Sequence, residues 1–171
     1  MRLQNQISVL FVCLGNICRS PLAEGVFRDV VKQRGREDRI IIDSAGTGGW
    51  HQGAPPDPRS VAVAARYGVD ISDQRARKVT NRDYTSFDLI LAMDRSNLDD
   101  LRRAAGHASQ ERIHLFNQYA LGLTRDVPDP YYGEVDGFEV VYRMIFEASD
   151  ALATKLAERL SAPSGQASST M

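Results

Sequence analysis

The pattern of this chain predicts an α/β fold built on a parallel sheet, and three observations carry the prediction. Short apolar runs alternate with segments whose apolar residues recur at helical spacing. The first run, Ile7-Ser8-Val9-Leu10-Phe11-Val12, is β-branched and aromatic enough for a strand buried in a parallel sheet. Cap and stop residues then mark where the helical segments begin and end.

The elements follow in order. Ser20-Pro21 opens a helix running to about Arg34, with Leu22, Val26, Phe27, Val30 and Val31 on its apolar stripe. Ile40-Ile41-Ile42-Asp43-Ser44 reads as the second strand, ending in Ala45-Gly46-Thr47-Gly48-Gly49. An irregular loop through Pro55-Pro56 leads to Asp57-Pro58, which caps a helix reaching Tyr67 and stopped by Gly68. Asp88 to Ala92 is the third strand, followed by a helix from about Arg95 to Ala105. Ile113-His114-Leu115-Phe116 is the fourth strand. The proline-marked loop from Asp126 to Gly133 precedes a long helix from about Phe138 to Leu160. From Ser161 the tail is low in complexity and reads as disordered.

The 171 residues fit one domain over positions 1–160, large enough for a core without staples. A net charge of −1 gives no support for nucleic-acid or anionic-membrane partners. The N-terminus enters the first strand directly and no apolar run reaches membrane-spanning length, so the cytoplasm is the expected location. Two cysteines five positions apart make no disulfide framework. His51, His107 and His114 are scattered, so no metal is expected.

Ligands of open α/β sheets bind beyond the carboxyl ends of the strands, where four features fall: the Cys13 loop, Ser44-Ala45-Gly46, Met93-Asp94 and the loop carrying Asp129. The first is the most telling. Cys13 and Arg19 bracket a loop between a strand end and a helix N-terminus, whose backbone N–H groups and helix dipole bind phosphate and favour a thiolate. Backbone N–H groups of Leu14, Gly15, Asn16, Ile17, Cys18 and Arg19 can donate to phosphate oxygens, and the Arg19 guanidinium can bind two of them side by side. Gly15 allows a tight turn, and Asn16 tolerates left-handed geometry while its amide braces the loop. Ser20 can donate to the Cys13 sulfur or cap the helix. Asp126 and Asp129 are both placed to protonate a leaving group or simply to start a turn.

The stretch Phe11-Val12-Cys13-Leu14-Gly15-Asn16-Ile17-Cys18-Arg19-Ser20-Pro21-Leu22-Ala23-Glu24 closely resembles the signature of the low-molecular-weight protein tyrosine phosphatases. The likeness runs through Asp43-Ser44-Ala45-Gly46, Pro55-Pro56-Asp57, Ala92-Met93-Asp94 and Asp129-Pro130-Tyr131-Tyr132. It implies a three-layer, four-stranded parallel sheet with helices on both faces, of the phosphotyrosine protein phosphatase I-like type. It also implies hydrolysis of phosphotyrosine through a cysteinyl-phosphate, with Cys13 as nucleophile, Arg19 as clamp and Asp129 as acid and then base, and no cofactor. Ser44 and Asp94 become supports of the loop, and Trp50, Tyr131 and Tyr132 become the walls of the substrate slot. Cys18 becomes a partner able to trap oxidised Cys13 as a disulfide rather than a small packing residue. One departure is visible: Gln74 stands where the family carries a histidine in a loop-bracing network.

The expected partner is a phosphotyrosine-containing protein, with no nucleic acid, no stable membrane association, and a monomer for which weak self-association is allowed. Arsenate reductases of this fold need further cysteines, and only Cys13 and Cys18 are present. Protein-arginine phosphatases tend to carry threonine where Ile17 stands, and a less aromatic acid loop. A binding or sensing module without turnover would lack the nucleophile, the arginine or the acid, and all three are here.

Overall fold

The computed structural model describes residues 5–162. Four strands form one sheet in the order β2-β1-β3-β4: β1 (Ile7–Cys13), β2 (Ile40–Gly46), β3 (Leu89–Ala92) and β4 (Ile113–Leu115). Every pairing is parallel, with Val9 opposite both Ile42 and Leu89, and Ile90 opposite Ile113. Because β1 has β2 on one side and β3 on the other, the chain reverses its direction of travel across the sheet at β1. The crevice that this opens at the carboxyl end of β1 is where such sheets bind ligands.

The alternation of side chains along β1 builds two cores. Val9, Phe11 and Cys13 face the layer that contains helices α1 (Arg19–Gln33), α2 (Pro58–Arg66), α5 (Phe116–Leu121) and α6 (Val135–Ser161). Leu10 and Val12 face Leu98 and Leu101 of α4 (Arg95–Ala104) and Tyr84 of the short α3 (Asp83–Ser86). Helices therefore cover both faces, as the fold class requires. Phe11 anchors the larger core, with edge contacts to Phe27 at 5.5 Å and Phe116 at 5.1 Å between ring centroids.

Several boundaries differ from the sequence expectation. Phe116 is not the last residue of a strand but the first of α5, and a 3-10 turn over His107–Arg112 and the four-residue α3 were not anticipated. Helix α1 begins at Arg19, with Cys18 as its N-cap, so Ser20 is not the cap. Helix α2 ends at Arg66, with Tyr67 as its cap and Gly68 at φ +79° turning the chain away. Helix α6 starts at Val135 and runs to Ser161. The expected disordered tail lies, beyond Ala162, outside the described residues.

Candidate active site

Arg19, Ser20 and Pro21 form the first turn of α1, where a proline loses no hydrogen bond. That end is buried: Cys18 is 5%, Arg19 2% and Ser20 0% exposed. No side chain caps it. Such a terminus, with free N–H groups and the positive end of the helix dipole, is suited to an anion.

The loop from Cys13 to that turn is held by a chain of side-chain hydrogen bonds. Ser20 Oγ lies 3.0 Å from Cys13 Sγ and 3.3 Å from the Ala45 carbonyl. Asn16 Nδ2 donates to Ser20 Oγ at 2.8 Å and to Ser44 Oγ at 3.0 Å, which leaves Ser44 to donate onward to Glu24 Oε1 at 2.8 Å. Asn16 Oδ1 accepts from the Arg77 N–H at 3.0 Å. With both ends of its amide engaged, Asn16 holds the left-handed conformation at φ 57°, which its short polar side chain tolerates. Gly15 has no positive φ; its missing Cβ makes room instead for the His51 ring, whose Cδ2 would lie 3.0 Å from it. At Gly46 a Cβ would meet the Leu14 carbonyl oxygen at 2.8 Å, so only glycine lets the end of β2 approach the loop this closely.

Burial works against the Arg19 charge, but negative charge on Cys13, Asp94 and Asp129 outweighs it and holds the guanidinium above the usual arginine range. Its Nη1 donates to Asp94 Oδ2 at 2.5 Å and to the Val127 carbonyl at 3.1 Å, and its Nη2 reaches Asp129 Oδ2 at 3.4 Å. Asp94 accepts on its other oxygen from the Asn97 N–H at 2.8 Å, capping α4. Arg19 thus joins the loop after β1, the loop after β3 and the loop before α6.

These loops surround a cleft of about 290 Å³, lined by Cys13, Leu14, Gly15, Ile17, Cys18 and Arg19 below and by Trp50, His51, Asp129, Tyr131 and Tyr132 above. Trp50 is 73% and Tyr132 95% exposed, so these aromatics are rim rather than core. The Trp50 indole packs against Gly48, where a Cβ would stand 1.7 Å from a ring carbon. Of the two candidate acids, Asp129 faces the cleft, while Asp126 pairs with Arg95 outside it. Both cysteines are free and buried. Burial first, then the negative charge of Asp57, pushes the Cys18 thiol up to about 12.

Gln74 does not join the loop network. Its Nε2 donates to the Pro21 carbonyl at 3.0 Å, and Ser44 meets Glu24 directly. Burial raises the Glu24 carboxyl above the ordinary range, against the Ser44 hydrogen bond. Sequence reasoning missed His51, Glu24 and the pair Asp57–Arg59. Glu24 and Asp57 stood inside the family-like motifs without a site role, and Asp57 also read as a helix cap; its Oδ1 does accept from the Arg59 N–H at 2.9 Å. Among the described residues no group of three or more His, Cys, Asp or Glu could hold a metal ion, and no helix is long and apolar enough to cross a membrane.

Fold and site define a class first: α/β proteins that present a cysteine and an arginine, from one strand-to-helix loop, to an anion-sized cleft. The family model for low molecular weight phosphotyrosine protein phosphatases matches residues 8–162, and the chain belongs to that family. A low molecular weight phosphotyrosine protein phosphatase of Schizosaccharomyces pombe is 48% identical over 145 residues, 84% of this chain and 92% of that protein. Among solved structures, a protein tyrosine phosphatase from Entamoeba histolytica matches with a TM-score of 0.85 at 36% identity, covering 90% of this chain and 99% of that one. The YwlE arginine phosphatase of Bacillus subtilis matches with a TM-score of 0.84 at 25% identity, covering 90% and 99%.

Proposed function

We propose that this protein hydrolyses phosphotyrosine in proteins, and small aryl phosphates, through a cysteinyl-phosphate on Cys13. The observation that carries the reading is the convergence of Cys13, Arg19 and Asp129 on one cleft, with Arg19 in contact with the Asp129 carboxyl. A phosphate monoester dianion seated on the uncapped turn of α1 would meet the loop N–H groups and the guanidinium of Arg19. The Cys13 thiolate attacks phosphorus as the bond to the phenolic oxygen breaks, and protonated Asp129 gives its proton to that oxygen. Asp129, now ionised, takes a proton from water as the water oxygen attacks phosphorus. The sulfur leaves as thiolate and inorganic phosphate is released. The Ser20 hydroxyl, 3.0 Å from the sulfur, donates to that departing thiolate.

Two features favour a tyrosine ester over phosphoarginine. Ile17 gives the cleft an apolar wall where a threonine would put a hydroxyl, and the aromatic rim of Trp50, Tyr131 and Tyr132 suits a phenyl ring. The lower identity to the arginine phosphatase points the same way. Cys18, on the floor of the same cleft, is proposed to close a disulfide with Cys13 after peroxide has converted Cys13 to the sulfenic acid, releasing water.

Hydrolysis of p-nitrophenyl phosphate in EDTA by the wild type, Cys13→Ser and Asp129→Ala tests the reading. Metal-independent turnover should survive in the wild type and vanish in Cys13→Ser. Substantial turnover by Cys13→Ser would contradict the mechanism.

A further inference from the structure

We propose that Arg59 is a positioning residue for the general acid: its guanidinium, shared between Asp57 and the carbonyl of Tyr131, holds the Asp129 loop against the phosphate loop. The proposal rests on the reading of Asp129 as the acid. Arg59 Nε and Nη2 donate to the two carboxylate oxygens of Asp57 at 3.0 and 2.9 Å, a side-by-side pairing that fixes the guanidinium plane. Asp57 is a firm anchor. Its N–H donates to the Ile17 carbonyl at 2.7 Å, and its side chain is only 9% exposed. On the next residue of α2, Ser60 Oγ donates to the Cys18 carbonyl at 3.2 Å, so the start of α2 is pinned to the phosphate loop twice.

From that anchor Arg59 reaches outward. Nη2 donates to the Tyr131 carbonyl at 3.0 Å. The guanidinium carbon lies 4.5 Å from the Phe138 ring centroid on α6 and 5.7 Å from that of Tyr131. Tyr131 in turn donates its N–H to Asp129 Oδ1 at 3.1 Å. The residue that Arg59 holds is therefore the one whose amide orients the carboxyl of the acid.

Pro130 is buried near Gly137 of α6, but hydrogen bonds from this stretch to other elements are few. Among the described residues, two hydrogen bonds join positions 128–133 to other elements: Arg19 to Asp129 and Arg59 to Tyr131. The first is long, at 3.4 Å, and comes from the very nitrogen that a phosphate oxygen would also claim. With substrate bound, the Arg59–Tyr131 bond is the hydrogen bond to another element that stays. A catalytic group displaced by about 1 Å loses on the order of a hundredfold in rate, so loosening this tie is expected to cost about tenfold where the acid is needed.

The test is kcat/KM for phenyl phosphate, a poor leaving group, against 2,4-dinitrophenyl phosphate, which needs no acid. Arg59→Met should lower the first about tenfold and the second less than about twofold, with inhibition by inorganic phosphate unchanged. In an Asp129→Asn background Arg59→Met should add nothing, because the group it positions is gone. Arg59→Lys keeps a cation beside Asp57 but lacks the fork that serves both partners, and should show the same selective loss in a fully folded protein. Equal losses for the two esters, or an undiminished loss in the Asp129→Asn background, would overturn the proposal. If Asp129→Asn alone slowed the two esters equally, the acid reading itself would fall and take this inference with it.

Discussion

Cys18 shows how one side chain can set the pH range in which the molecule is stable. Its thiol sits at the buried N-cap of α1 beside Asp57, and burial pushes it from an ordinary value of 9.0 up to about 12. The folded protein therefore holds this proton over a range where the unfolded chain has released it. Cys18 therefore leaves stability unchanged below about pH 9 and lowers it as pH rises from there toward 12. Urea midpoints at pH 7 and pH 10 should converge for Cys18→Ser relative to the wild type; an unchanged gap would mean that Cys18 does not titrate in this range. The same shift makes Cys18 a slow attacking thiol at neutral pH, because the thiolate is the nucleophile. Recovery of activity after peroxide and then reductant should be better in the wild type than in Cys18→Ser, and identical recovery would remove its protective role.

At the level of elements, the proposed mechanism asks the loop before α6 to deliver a proton and then collect one. In that mechanism attack uses the thiolate form of Cys13 and leaving-group protonation uses the acid form of Asp129. The profile of kcat/KM should therefore be bell-shaped in the wild type and lose its alkaline limb in Asp129→Ala; an unchanged alkaline limb would assign it to another group. Much of this element was readable in the sequence, since the proline-marked loop and its two aspartates stand out. Choosing Asp129 over Asp126 took the family likeness; in the structure Asp129 lines the cleft and Asp126 pairs with Arg95 outside it. The latch from Arg59 was not readable, because its partner Tyr131 lies 72 positions away and Asp57-Pro58 already has a sufficient local meaning as a helix cap. The short α3 and α5 escaped for another reason: with four and six residues, neither displays a full amphipathic period. Phe116 continued the apolar run of β4 and looked like strand until the chain was seen to turn there.

For the molecule as a whole, the strands were legible because each is a compact apolar run, and their order was not, because pairing depends on contacts far apart in sequence. The order β2-β1-β3-β4 puts β1 in the middle, so the strand that carries Cys13 contributes to both cores. Phe11 is fully buried between Phe27 and Phe116, two residues before Cys13. Phe11→Ala should cost about 3–5 kcal/mol, a large share of the roughly 5–15 kcal/mol that stabilises a domain. Urea denaturation measures it; a loss under about 1 kcal/mol would mean that this core repacks freely. The loop then hangs on a stiff base, with the network from Asn16 through Ser44 to Glu24 fixing its shape from behind.

In the proposed mechanism the sulfur of Cys13 carries the phosphoryl group transiently. Rapid acid quench of the wild type turning over an aryl phosphate, followed by peptide mass spectrometry, should find a phosphate on Cys13 within the first turnover and none in Cys13→Ser. Turnover with no label on Cys13, or with the label on another residue, would contradict it.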